Sequence, residues 1–476
     1  MATKITIEPV TRIEGHAKVT IHLDNRGRVE TARLHVNEFR GFEKFCEGRL
    51  FYEMPLITER ICGICPVSHH LASAKACDEI FGVTIPRPAR ILRELMHMGQ
   101  LIQSHAMHFF ELAGPDLLLG FDADPAIRNV VGLFQRNPDL TRQAVALRKF
   151  GQEIIARVGD RKIHPNFAIP GGVNKALSVA DRDGILAAFP QMLAIAQTGL
   201  ALMKAWAEAH RDELNTFAVF PTAYMGMVDE TDALTLYDGQ IRLVDAQRRP
   251  IARFNAREYL TFVAEHVENW SYLKFPYYKP LGWPDGVYRV GPLGRLNAAT
   301  RCSTPLAQVE YDIFQALCGG KVISGTLYYH YARLVELIYA LEHAQQLLLD
   351  GDITSTDLRV DGKVKNHRGV GVIEAPRGTL WHDYHVDDDG RLVRVNLIVA
   401  TGNNNYAMSR AVEEVAKASI PEGGGTVPEG ALNRIEAAIR AYDPCLSCST
   451  HALGQMPLEV SVFDAAGNPV TSRTRD

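Results

Sequence analysis

Excess charge of either sign is scarce in this chain: 51 Lys and Arg stand against 55 Asp and Glu, a formal net charge of −4 over 476 residues. No run of like charge, low-complexity tract or internal repeat stands out. Composition therefore gives no electrostatic reason to expect nucleic acid as a partner. The opening MATKITIEPV lacks the basic start and apolar core of a secretory leader, so a cytoplasmic chain is expected. Long uncharged runs are also rare. Residues 184–203 carry no formal charge over a length that could span a bilayer. Pro190, Gln191, Gln197, Thr198 and Gly199 interrupt that stretch and its apolar residues are largely alanine, so a buried helix and no membrane span are expected. The chain has no glycine-rich dinucleotide fingerprint. A redox centre here would have to pass its electrons to another chain.

Hydrophobic residues make up 46% and charged residues 22%, enough to bury a sizeable core in one large domain or two. The first stretch alternates as strands do, in KITIEPV, HAKVTIHL and, after a DNRG turn, VETARLHV. Beyond Pro66 the period becomes helical. VSHHLASAKACDEIF predicts one helix, and PARILRELMHMGQLIQSHAMHFFELAG predicts a longer one that stops at Gly114-Pro115. Helical periodicity continues over 125–158 and 181–213, and returns over 304–318 and 325–349. Residues 215–300 hold many of the prolines and aromatics and read as irregular structure with short strands. Strand-like runs follow at VGVIEAP and RLVRVNLIVA, then helices near 405–419 and 428–441, and a strand and turn in LEVSVFDAAGNPV. The expectation is a mostly helical α+β fold, a central bundle of long helices with β-structure near both termini.

Eight cysteines without a leader do not suggest a disulfide framework. Cys46, Cys77, Cys302 and Cys318 stand alone and read as small buried hydrophobes. The other four form two pairs, Cys62 and Cys65 in ERICGICPVSHH and Cys445 and Cys448 in DPCLSCSTH. Two intervening residues let both thiolates of a pair reach one metal, and four soft thiolates select zinc, iron, nickel or copper over magnesium. The plainer reading is a structural zinc site. Zinc ribbons, however, space their pairs some 15–20 residues apart, and here nearly the whole chain intervenes. Glu59, Arg60 and Asp443 flank the pairs, and His69, one helical turn beyond Cys65, is placed to donate to a sulfur.

At these residues the chain resembles the large subunit of nickel–iron hydrogenases. The likeness runs through TRIEGH (11–16), RGFE (40–43), RICGICPVSHH (60–70), HAMHFFELAGPD (105–116), HPNFAIPGG (164–172), EAPRG (374–378) and DPCLSCSTH (443–451). The related subunit of respiratory complex I shares the fold but lacks the thiolates. The resemblance implies a single domain, 1–451, holding a Ni–Fe centre whose iron carries carbon monoxide and two cyanides. Cys62 and Cys445 would bind nickel terminally; Cys65 and Cys448 would bridge nickel and iron. Dihydrogen splits into hydride and proton once a metal binds it, and the Cys445 thiolate would take the proton. Glu14 matches the proton gate beside that thiolate. Arg377, next to Pro376, would stand over the open metal face near the cyanides, with Asp116 and Asp443 completing a polar shell. Glu43 and His451 match the ligands of a Mg2+ site.

One departure follows EAPRG. A Pro-Thr/Ser-x-Trp-Asn segment that contacts the cyanides in many members is replaced by VATGNNN (399–405), with Thr401 at the matching hydroxyl. ATGNNN and PVSHH look like the cytosolic NAD-reducing group. That implies, as partners, diaphorase subunits binding FMN and NAD together with a small subunit carrying Fe–S clusters. Residues 452–476 would be a precursor extension, removed by a maturation endopeptidase after nickel-insertion proteins have acted. The alternatives are NADP or deazaflavin coupling, a hydrogen sensor, or a complex I-like scaffold with a four-cysteine zinc site.

Overall fold

The N-terminal alternation folds into an antiparallel sheet of β1 (Lys4–Ile7), β2 (Lys18–Leu23) and β3 (Val29–His35), in that order. A computed structural model describes residues 4–38, 41–423 and 427–449, and the backbone of the strands Leu458–Phe463 and Pro469–Arg475. Helix α1 (Pro66–Phe81) starts on a proline that loses no intrahelical bond there, and ends at Gly82 in the left-handed conformation. Helix α2 (Arg87–Met107) packs against α3 (Pro138–Gly159) and α5 (Tyr328–Leu349), and α4 (Phe189–Ala209) lies on α5. These four long helices are the expected bundle. Two antiparallel hairpins, β4 (Ala223–Val228) with β5 (Gln240–Val244) and β5 with β6 (Pro250–Phe254), lie within the proline-rich middle.

The sheet that positions the site is a meander of β7 (Arg368–Ala375), β8 (Gly378–Val386) and β9 (Leu392–Ile398). It packs face-on against α1. Two glycines on β7 allow this: a Cβ on Gly371 would stand 1.9 Å from the Ala72 carbonyl oxygen, and one on Gly369 2.0 Å from that of Ala76. Backbone rests on backbone there, so the helix that follows the first CxxC turn is held at a fixed distance from the sheet. Helices Asn405–Ser419 and Glu429–Ala441 then lead to the second cysteine pair.

Three sequence expectations are corrected. The long helix does not stop at Gly114-Pro115. It widens into a π-helical turn over His108–Ala113 and resumes as Gly114–Leu119. Pro115 offers no N–H to the preceding turn, and the wider i→i+5 spacing absorbs that loss. Strand β8 went unrecognised. It is buried on both faces, and its polar residues Thr379, His382, Asp383 and Tyr384 are all inside, so no apolar–polar alternation marks it. The uncharged stretch 184–203 is not one buried helix. It divides at Ala187 and Ala188, and α4 buries one face (Met192, Ile195, Gly199, Met203) while Gln191, Ala194, Gln197 and Ala201 face outward. By length and composition alone, Val179–Ala209 could cross a membrane, although only 39% of its most apolar window is buried.

Gly371→Ala is expected to cost about 1–3 kcal/mol through forced separation of α1 from β7. Gly351→Ala, whose added Cβ meets nothing within 4 Å, serves as the control. Denaturant unfolding of the two variants against the parent measures the difference; equal midpoints would contradict the close-approach argument.

Candidate metal centre

Each CxxC turn is gripped by groups from distant parts of the chain. The first follows a 3-10 turn, Glu59–Ile61, and leads into α1. The Ile64 N–H points back to the Cys62 sulfur at 3.2 Å, and the Ile64 carbonyl accepts from the side-chain amides of Gln100 and Gln103, each at 2.9 Å. Both glutamines project from α2, so the bundle holds the turn. The second pair begins the short helix Leu446–Ser449. The Cys445 N–H donates to the Thr401 hydroxyl at 2.9 Å, the Leu446 N–H to the Glu14 carbonyl at 3.1 Å, and the Ser447 N–H to the Glu14 carboxylate at 3.0 Å. The Ser447 hydroxyl donates to the other carboxylate oxygen of Glu14. Gly15 permits this approach: its φ is +81°, and a Cβ would lie 2.7 Å from that of Leu446.

The four sulfurs meet as a consequence. Cys62 lies 3.2 Å from Cys445, Cys65 3.3 Å from Cys448 and 3.8 Å from Cys445, and Cys445 2.9 Å from Cys448. All four ligand atoms fall within 4.8 Å of one another, and all four residues are buried. Four thiolates at such spacings repel by roughly 4–6 kcal/mol per contact even at an effective dielectric of about 20. The sum exceeds the stability of a typical domain. Burial accordingly holds the Cys445 and Cys448 thiols well above the ordinary range, while hydrogen bonds from Cys445 and Cys448 bring Cys62 well below it. A bound cation is needed for all four to stand as thiolates.

The small cavity beside the sulfurs is lined by Ala375, Pro376, Arg377, Val399 and Thr401 among others. Arg377 donates to the Asp443 carbonyl at 2.6 Å and to its carboxylate at 3.0 Å. Asp443 reaches both positions from a left-handed backbone, φ +56°, just ahead of Pro444. Burial opposes charge on Arg377, but Asp443 and the nearby cysteine sulfurs outweigh it and hold the guanidinium protonated; burial pushes Asp443 up from the usual carboxylate range. Arg377 Nη1 and Asp443 Oδ2 are buried and have no hydrogen-bond partner among the described residues. A lone structural zinc ion would give Arg377 Nη1 nothing to donate to. Small anionic ligands on a metal in this cavity would. The donor set and the orphaned guanidinium nitrogen therefore fit a metal group that carries its own anions.

The structure thus gathers Glu14, Cys62, Cys65, His69, Pro376, Arg377, Thr401, Asp443, Cys445 and Cys448. His69 Nε2 stands 3.3 Å from the Cys448 sulfur. Asp116 belongs to an adjoining ionic cluster: its carboxylate takes hydrogen bonds from Arg12, Arg440 and Asn433, and against the cost of burial those arginines hold it below the usual range. Glu43 sits on the short helix Phe42–Cys46, accepts the Leu397 N–H at 2.7 Å, and is pushed up to about 7 by burial. His451, its expected partner, lies outside the described residues, as does Arg40. Sequence reading missed Gln100, Gln103, His382 and Tyr384. The glutamines looked like ordinary polar positions on a helix, and the His-x-Tyr spacing is informative only once β8 is known to be a strand.

The sequence model of the nickel-dependent hydrogenases matches residues 40–126 and 213–451, and a HoxL-like model matches 4–39. The chain belongs to the nickel-dependent hydrogenase family. It is 46% identical to the beta subunit of the NAD-reducing hydrogenase HoxS of Cupriavidus necator, with both sequences covered in full. It is also 46% identical to a subunit of the F420-non-reducing hydrogenase vhu of Methanocaldococcus jannaschii, over 87% of this chain and 99% of that one. A crystal structure of an NAD+-reducing [NiFe]-hydrogenase in the H2-reduced state superposes with a TM-score of 0.92 at 46% identity, over 95% of this chain and 100% of the other. The Ni-Fe-Se hydrogenase of D. vulgaris Hildenborough follows the same fold at TM-score 0.76 and 26% identity, with 95% and 100% covered. As a hydrogenase large subunit the chain is an oxidoreductase that activates H2, and Cys62, Cys65, Cys445 and Cys448 form its only four-cysteine cluster among the described residues.

Glu59, just ahead of Cys62, is fully buried, and neither of its carboxylate oxygens makes a hydrogen bond among the described residues. Burial raises it to about 8. The folded state therefore keeps a proton that the unfolded chain gives up near 4.5. The stability this contributes is complete below about pH 4.5 and is lost as pH rises towards 8. Glu59→Gln is expected to gain stability over the parent between pH 5 and pH 8 in denaturant unfolding. An unchanged difference between the two pH values would mean that Glu59 is ionised in the fold.

Proposed function

We propose that this chain is the catalytic subunit of a bidirectional NAD-coupled hydrogenase, which converts H2 reversibly into two protons and two electrons at a nickel–iron centre. The reading rests on one observation above all: four buried thiolates share a cavity with a guanidinium whose Nη1 has no partner in the described protein. Cys62, Cys65, Cys445 and Cys448 would hold the metals; Arg377, Thr401 and Pro376 line the cavity beside them, where Arg377 and Thr401 would meet the carbon monoxide and cyanide ligands of the iron. When bound, this group acidifies dihydrogen. The chain handles the proton. The Cys445 thiolate accepts it, and Glu14, bonded into the same turn through Leu446 and Ser447, takes it onward. Arg377 keeps its charge and its place through Asp443. Glu43 and His451 hold a Mg2+ ion.

Electrons leave through an Fe–S small subunit to diaphorase subunits that bind FMN and NAD, in the cytoplasm. The NAD-reducing relatives support this coupling, one matching the whole chain and the other 95% of it at 46% identity. Residues 1–451 form the working domain, and 452–476 are cut away after nickel insertion. The family match ends at residue 451, and the solved NAD+-reducing chain is matched in full by 95% of this one, which supports that reading.

Infrared spectra of the enzyme purified with its partners should contain bands of iron-bound carbon monoxide and cyanide; one zinc per chain without such bands would return the site to a structural role. H2-dependent reduction of NAD, with NADP and a deazaflavin compared at equal concentration, tests the coupling, and a preference for either competitor would reassign it. Glu14→Gln should leave the bands in place and slow H2 turnover by roughly 10²-fold or more, the size expected of a positioned proton-transfer group. Unchanged turnover would remove Glu14 from the relay.

A further inference from the structure

His69 and Ser73 lie one turn apart on α1, and His382 and Tyr384 lie two residues apart on β8, so each pair shares a face. The two faces interleave into a continuous buried line. His69 Nε2 is 3.3 Å from the Cys448 sulfur, His69 Nδ1 is 3.1 Å from His382 Nε2, and His382 Nδ1 is 2.5 Å from the Tyr384 hydroxyl. The Tyr384 hydroxyl is 2.9 Å from that of Ser73, and either can donate. All four side chains are at most 1% exposed.

We propose that His382 and Tyr384 are positioning residues, which fix His69 in the tautomer that donates from Nε2 to the Cys448 sulfur. A neutral imidazole has one donor and one acceptor nitrogen. A metal-bound thiolate only accepts. His69 must then carry its proton on Nε2, and its bare Nδ1 needs a donor. His382 supplies one from Nε2, which leaves its own Nδ1 bare, and Tyr384 donates to that nitrogen. Every proton along the line points towards the sulfur, and one ring orientation satisfies all the bonds. The donation draws electron density from the thiolate that faces the cavity, and so tunes the metals it holds. The inference rests on the nickel–iron reading given above.

Three variants of the complete enzyme test it. His382→Leu removes the donor to His69, His382→Gln keeps an amide N–H able to replace it, and Tyr384→Phe removes only the terminal hydroxyl. H2–D2 exchange should fall by about 10-fold or more in His382→Leu, in the range of outer-shell changes at metal sites. Its iron carbonyl band should move to lower wavenumber, because a sulfur freed of a hydrogen bond gives more electron density to the iron. His382→Gln should return both readouts to the parent values. Tyr384→Phe should move the band in the same direction by less, and it decides the matter if His382→Leu does not fold. Equal behaviour of the Leu and Gln variants, or a band unmoved by Tyr384→Phe, would overturn the assignment. A parent enzyme without carbonyl bands would instead overturn the nickel–iron reading itself.

Discussion

Mutual repulsion among four buried sulfurs is the constraint around which the rest of this structure is arranged. No described side chain near the cluster is positioned to neutralise more than a part of it. The surrounding positive charge comes from Arg377, already committed to Asp443, and the remaining help comes from neutral donors: the Ile64 N–H and the His69 ring. The protein therefore leaves the larger share to a cation and spends its own groups on holding the sulfurs where that cation must sit. This explains why the supports are so rigid. Two glutamines fix one carbonyl between Cys62 and Cys65, and three consecutive N–H groups of the second turn are each given a partner.

Much of this was legible in the sequence. Of the bundle helices, α3 and α4 show their period because each buries one face, α2 and α5 are buried nearly all round and stand out by length, and the two CxxC pairs declare their chemistry through spacing. The identity of the metal was not legible from spacing, since four cysteines suit zinc as well. The motifs between them carried that distinction, and in the fold it reappears as an arginine with a spare N–H. What stayed hidden shares a physical cause. β8 is covered on both faces, and its buried polar residues are satisfied by one another, by α1, by Glu374 and Arg368 of β7 and by Tyr259, so the cue of an exposed polar face is missing. The π-helical turn before Gly114 was equally silent, because proline ordinarily ends a helix and only tertiary support lets this one continue.

The meander and α1 show how packing at one place sets chemistry at another. Gly369 and Gly371 bring the sheet against the helix without side chains between them. That same closeness lets His382 and Tyr384 reach His69 and Ser73. A larger residue on β7 would spread the layers and lengthen the two bonds of the line that cross between them, His69 to His382 and Tyr384 to Ser73.

The two halves of the cluster are 383 residues apart in sequence, counted from Cys62 to Cys445. On a ribosome adding 5–20 residues per second, the first pair would wait roughly 20–80 s before the second emerges. During that interval the nascent chain presents a two-sulfur half-site, without Glu14's clamp on the second turn and without Thr401 for most of the wait. Drawing a loop of this length closed then costs about 5 kcal/mol in chain entropy, which only a folded bundle can offset. The centre can therefore form only after the bundle has emerged, and the order of translation keeps its two halves apart until the scaffold that must hold them is complete.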